Sequence, residues 1–417
     1  MRRGGGERGQ AAGEYVALVA LVAVALTLAA GLTSGGVGAG VLAGLQRGLC
    51  RVAGGACPRP LAPRPDLAPC PLGRERRSEE LRATIAALRL GSTGTLDTER
   101  TSDGRVTVTL AKGSAAGGEL GVGVRLGGAG ASGRAGAGIA WTSGSAWSFP
   151  DEAAARRFAA TYGGKVTIGG WLVDEVRSRC SLLCDAIGWR PHPRLPEPDE
   201  TFEEGGALAT LAGALGLRGG TLGLGGAAVL GRRVARDGAR TWYLRVGAAA
   251  VAGLHLDALE LGADAGGEAV IAYALDARGR PATLGIQVAG EASGHLGAAG
   301  ARAGGGLVTE LEATLDLHGA ANRAAAAALL GALRDPRELP ALPGRVARLA
   351  ALIAREGRID RRLYAVRDAA TGVDGLLALG LELGGGFERA TRGLRLVRAE
   401  TRLPGLPFLP RDDCRPA

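Results

Sequence analysis

The sequence predicts an α+β protein: an N-terminal transmembrane helix, then a largely antiparallel curved β-meander with interspersed helices. Three observations carry this reading. Residues Tyr15 to Leu32 run without a charge, runs from about residue 105 alternate apolar and polar residues, and a few stretches space their apolar residues as a helix does. At 417 residues the chain has ample material for a core, but that core draws on small residues: 72 glycines and only 4% aromatics. The net charge of +9 comes almost wholly from arginine. Those arginines are scattered among acids rather than gathered in a stripe, which argues against nucleic acid as a partner.

The 18 residues of the uncharged run span about 27 Å as a helix, enough to cross a bilayer core. Arg2, Arg3 and Arg8 precede it, so the positive-inside rule places the N-terminus in the cytoplasm and the body outside. Immediately ahead of the run stand Gly9, Gln10, Ala11, Ala12, Gly13, Glu14 and Tyr15. This stretch resembles the leader of type IVb (Flp, tight-adherence) pilins. The resemblance covers about the first 35 residues. It implies that a prepilin peptidase cuts after Gly9, that Gln10 becomes the mature N-terminus, and that Glu14 and Tyr15 are the signature pair. A carboxylate at the edge of an apolar helix is costly to bury alone. The family resemblance supplies its partner, the terminal amine of a neighbouring subunit.

The expected organisation is a cytoplasmic leader at 1–9, an anchor helix at 10–34, and a Gly/Pro/Cys-rich stalk at 35–77. A first α+β part at 78–195 and a β-meander at 196–417, with helices near 320–356, follow. Closely spaced prolines around Cys50, Cys57 and Cys70 make the stalk extended. With Cys180, Cys184 and Cys414 these are six cysteines, which in an exported chain allow three disulfides in 15 connectivities. Cys414 is placed to staple the tail to the body. A zinc site drawn from Cys180, Cys184 and His192 lacks a fourth ligand.

Within the body, Leu81, Ile85 and Leu88 fall on one face of a helix over 79–90, with Ser78 as its cap. Alternation then takes over: Val106, Val108 and Leu110; Leu120 to Leu126; Ile139 and Trp141. A helix opens at Pro150 and Asp151 and runs through Phe158; a strand at 165–173 and a cysteine-bearing helix from Asp174 follow. From about 218 to 319 the meander resumes, with turns at Asp237–Gly238, Gly266–Gly267, Arg278–Gly279 and Gly304–Gly306. Helices near 320–334 and 344–356 precede further strands at 358–403. Strands of this kind could also close into a membrane-spanning barrel. Only 15 aromatics exist to form its girdles, so a meander with one packed and one wet face is preferred.

No catalytic motif accompanies the four histidines. The best polar constellation joins His255 and Asp257 to Glu310, Glu312, Asp316 and His318, which a solvated strand face also explains. Trp141, Trp147 and Phe149 offer either a carbohydrate platform or packing against the helix at 151–162. The sequence therefore predicts no catalytic residues, no metal, no cofactor and no enzyme. It points to a single-pass protein of the cytoplasmic membrane with an extracytoplasmic structural or adhesive body. Its expected partners are the membrane, a prepilin peptidase and pilin-like or secretion-system proteins, and the alternative is an anchored domain binding a glycan or lipid.

Overall fold

The computed structural model describes residues 67–85, 88–126, 129–162, 195–215, 220–256, 259–298, 301–334, 342–378 and 382–414. These form one antiparallel sheet whose strands follow chain order. They are β1 (Pro71–Ile85), β2 (Leu88–Thr101), β3 (Val106–Leu126), β4 (Ala129–Phe149), β5 (Glu200–Leu215), β6 (Gly220–Ala235) and β7 (Arg240–Leu256). Then come β8 (Leu259–Leu275), β9 (Pro281–Ala298), β10 (Ala301–Asp316), β11 (Arg358–Ala378), β12 (Glu382–Arg402) and the short β13 (Leu409–Pro410). β1 also pairs with β12, so twelve strands close into a barrel. β13 pairs with β12 beyond the point where β1 ends, and so extends the seam.

The register sets the barrel's dimensions. A row of paired positions that leaves β3 at Val124 passes Leu215, Leu254, Ala303, Thr391 and Arg77. It returns to β3 at Leu110, a shear of 14 residues (124 minus 110). Twelve strands with that shear tilt by about 40° and enclose a radius of roughly 12 Å.

Three hairpin turns share one chemistry. Gly104, Gly238 and Gly279 have φ of 85°, 91° and 77°, a backbone that side chains disfavour. Beside them, Asp103 accepts from the Arg105 amide, Asp237 from the Ala239 amide, and Asp276 from the amides of Arg278 and Arg280. These turns mark the near rim. At the far end, two to four residues separate consecutive strands.

Helices α1 (Glu152–Tyr162), α2 (Ala320–Arg334) and α3 (Leu342–Glu356) interrupt the strand order only at the near rim. Asp151 caps α1 by accepting from the Ala154 amide at 2.8 Å. α1 buries Ala155 and Phe158 against Val106, Val108 and Trp147. α2 and α3 bury Leu329, Leu349 and Ile353 against Leu284, Ile286, Leu315 and Ile359. Both contacts lie on the outward set of strand positions.

The expected α+β fold with a transmembrane helix and an open meander is corrected to an almost all-strand closed barrel. Among the described residues no helix is long and apolar enough to cross a membrane. The segment 79–90 belongs to β1 and β2, not to a helix: Leu81, Ala83 and Ile85 alternate with Glu80, Arg82 and Thr84. Gly266–Gly267 and Gly304–Gly306 lie inside β8 and β10 rather than in turns, since glycine weakens a strand without ending it. β1 begins inside the segment read as a stalk, and β4 pairs directly with β5, so both halves of the body share one sheet.

The predicted single-pass topology in the cytoplasmic membrane, with the pilin-type anchor, is corrected for the same reason. A closed barrel needs no helix to satisfy its backbone in lipid. Gly9, Gln10, Glu14, Tyr15, Cys50 and Cys57 lie outside the described residues, as do Cys180, Cys184 and His192.

Candidate functional site

Alternate strand positions point into the lumen or away from it, and the two sets differ in chemistry. The outward set carries no charge from Ser114 to Leu126 on β3, from Gly205 to Leu215 on β5, or from Leu244 to Leu256 on β7. On β4, β8, β9 and β10 it carries none at all. Ile139, Leu230 and Leu307 of this set are 48%, 58% and 53% exposed. Twelve steps along β3 at that tilt cover about 30 Å, the height of a lipid-facing band. On β1 and β12 charge reaches further along the barrel, in the pair Glu79–Arg389 at 2.6 Å.

The inward set is polar and glycine-rich. Arg362 of β11 reaches Glu310 at 2.6 Å and Glu312 at 2.8 Å, both on the neighbouring β10. Thr401 donates to Asp360 at 2.6 Å. Arg392 of β12 pairs with Glu291 of β9, three strands away, and Arg74 pairs with Glu99. A contact that skips two strands requires side chains to converge, which happens only on the concave face. Across the lumen, Tyr243 donates to Glu204 at 2.6 Å, and Arg245 pairs with the same carboxylate. Gly231 lies between them; a Cβ there would sit 2.3 Å from the Tyr243 ring, so only glycine lets the ring pass.

The near rim is narrowed by the chain itself. Cys70 and Cys414 are joined with their Cα atoms 5.5 Å apart. Both are buried against lumenal Val308, Tyr364, Val366 and Leu396. Arg411 fixes this tail by donating to Asp413 at 2.6 Å and to the Ala68 carbonyl at 2.9 Å. Those bonds from Arg411 hold the Asp413 carboxyl below the usual aspartate range, against the opposing effect of partial burial.

The sequence-predicted residues scatter over this frame. Glu310 and Glu312 join the lumenal network, whereas Asp316 and His318 sit exposed at the rim. β7, which bears His255, is three strands from β10, and Asp257 lies outside the described residues. Trp147 and Phe149 pack on Phe158 with ring centroids 4.8 and 5.1 Å apart, while Trp141 is 59% exposed. Cys70, Asp413 and Cys414 cluster closely, but the bond between the two sulfurs removes them as metal ligands. The arginine partners Arg74, Arg362 and Arg392 went unnoticed in sequence. Their signal was a charge at every second strand position, opposite an uncharged set.

No family model and no curated protein matches the sequence. Among solved structures it is similar to the β domain of the Bordetella autotransporter BrkA, at 10% identity over 78% of this chain and 99% of that one, with a TM-score of 0.24. The transport unit of the autotransporter AIDA-I from Escherichia coli gives 8% identity over 81% and 93%, with a TM-score of 0.22. The Pseudomonas putida toluene transporter TodX gives 9% over 78% and 90%, with a TM-score of 0.21. Likenesses this slight carry no functional argument.

The class the chain's own geometry defines is a closed twelve-stranded antiparallel β-barrel, uncharged outside and charged within. The expected pilin-anchored adhesive body, with a prepilin peptidase as partner, is corrected accordingly: the outward set is the surface of a barrel meant for an apolar solvent, not the wet face of a tethered domain.

Proposed function

We propose that this protein is an integral β-barrel of outer-membrane type whose lumen provides a passage for small charged solutes. The observation that supports it is the inverted distribution of charge. Buried Arg362, Glu310 and Asp360 lie inside, and outward positions of seven strands stay uncharged over long stretches. A water-soluble barrel has the opposite arrangement, because exposing that many apolar side chains to water is unfavourable. The role is passage rather than catalysis, and the tail fixed by Cys70–Cys414 narrows one mouth.

The test is to fold the full chain into lipid vesicles and then measure planar-bilayer conductance. Discrete conductance steps, with a folded band that shifts on boiling in detergent gels, support the reading. A chain that stays monomeric and folded in lipid-free buffer, without conductance, overturns it.

A further inference from the structure

The outer face carries a groove at the edge of the uncharged band. Its volume is about 750 Å³, and it crosses β2 to β7. Two consecutive rows of paired positions build it. The row nearer the rim reads Lys112, Ser143, Glu203, Arg232 and Trp242; the next, toward the far end, reads Ser114, Trp141, Gly205 and Leu230. Charge therefore stops between the two rows. Gly205 opens the floor, since its missing side chain leaves the edge of the Trp141 ring 3.1 Å from where a Cβ would be.

The cations in the groove differ in commitment. Lys112 is exposed and has no carboxylate in ion-pair range among the described residues. Arg232 stacks over Trp242 at 5.7 Å and meets Glu203 only at 3.5 Å, with Glu203 three-quarters exposed. Leu230, Trp141 and Trp242 are large apolar groups left in the open, all on the groove wall.

We propose that this groove binds an anionic lipid of the surrounding membrane. Its phosphate is held by the Lys112 ammonium and the Arg232 guanidinium, and its acyl chain lies along Trp141, Leu230 and the uncharged rows beyond. Three features favour this occupant over a soluble anion. The two cations complement a phosphate. Tryptophan sits where headgroup meets hydrocarbon. The apolar wall runs without a break into the outward band. The proposal rests on that band lying in a membrane, so its test separates the two.

The full chain is folded into vesicles of phosphatidylcholine alone or with phosphatidylglycerol, extracted in mild detergent, and weighed by native mass spectrometry. Retention of phosphatidylglycerol in preference to phosphatidylcholine is expected. The Lys112→Gln/Arg232→Gln variant should retain it about tenfold less, the scale of losing one charge-assisted phosphate contact. Glu203→Gln should retain more, and added inorganic phosphate should not displace the lipid. Equal retention of both lipids, unchanged retention in the double variant, or displacement by phosphate alone overturns the lipid site. Failure to insert into either vesicle overturns the membrane reading itself, a separate outcome. Both substituted side chains are exposed, and the folded band on unboiled gels verifies that each variant forms its barrel.

Discussion

At the scale of single residues, the lumenal network sets the largest expected effects. Arg362 is buried between two glutamates and an aspartate, so Arg362→Ala leaves buried carboxylates without their counter-charge. Such a loss costs about 3–5 kcal/mol. Arg77→Ala, which removes an exposed pair with Glu75, should cost less than about 1 kcal/mol. Urea unfolding of the vesicle-inserted barrel measures both, and equal costs would mean that the lumenal pairs are no better placed than surface ones. Gly231→Val should also destabilise, by about 1–3 kcal/mol, because its side chain would occupy the space of the Tyr243 ring. The charges of these residues were visible in sequence. Their partners were not, since Arg392 and Glu291 are 101 residues apart in the chain and meet only when a sheet curls.

At the scale of elements, the C-terminal tail has the clearest behaviour. The bond between Cys70 and Cys414 closes a loop across a separation of 344 residues, and removing such a link costs about 2–5 kcal/mol. Cys414→Ser, or reduction, should free residues after about 403 to protease and raise the conductance of the passage. An unchanged cleavage pattern would show that β13 and Arg411 hold the tail unaided. Acid should loosen the same tail. The Asp413 carboxyl is lowered by Arg411, so its contribution is fully present above the ordinary aspartate value near 4 and is lost as the pH falls through the lowered one. Protease susceptibility of the tail against pH below about 4 follows it. The helices at 152–162, 320–334 and 342–356 were legible because each carries a local cap or an apolar stripe. The strand character of 79–90 was not, because Leu81, Ile85 and Leu88 satisfy a helical spacing as well as an alternating one.

At the scale of the whole molecule, the decisive property is which set of alternate positions faces inward. Neighbouring Ala249 and Ala250 on β7 are alike in sequence but belong to opposite sets. Ala250→Arg should block insertion by about 2–4 kcal/mol, and Ala249→Arg should be tolerated; equal effects on folding into vesicles would contradict the assignment of faces. The charge balance makes a second prediction. On β10 the inward set bears Glu310, Glu312 and Asp316 with no arginine between them, and on β5 it bears Glu200 and Glu204. The outward set near the rim on β11 and β12 bears Arg367, Arg389, Arg395 and Arg398. An overall charge of +9 therefore hides an acidic lining, and the reversal potential in a salt gradient should show a preference for cations. The alternation along each strand, the glycine turns at 104, 238 and 279, and the helices were settled by local chemistry, because each depends on residues a few positions apart. Closure of β1 on β12, the shear, and the turning of charge inward were settled only by tertiary structure. They depend on register summed around twelve strands, to which no single stretch of chain holds the answer.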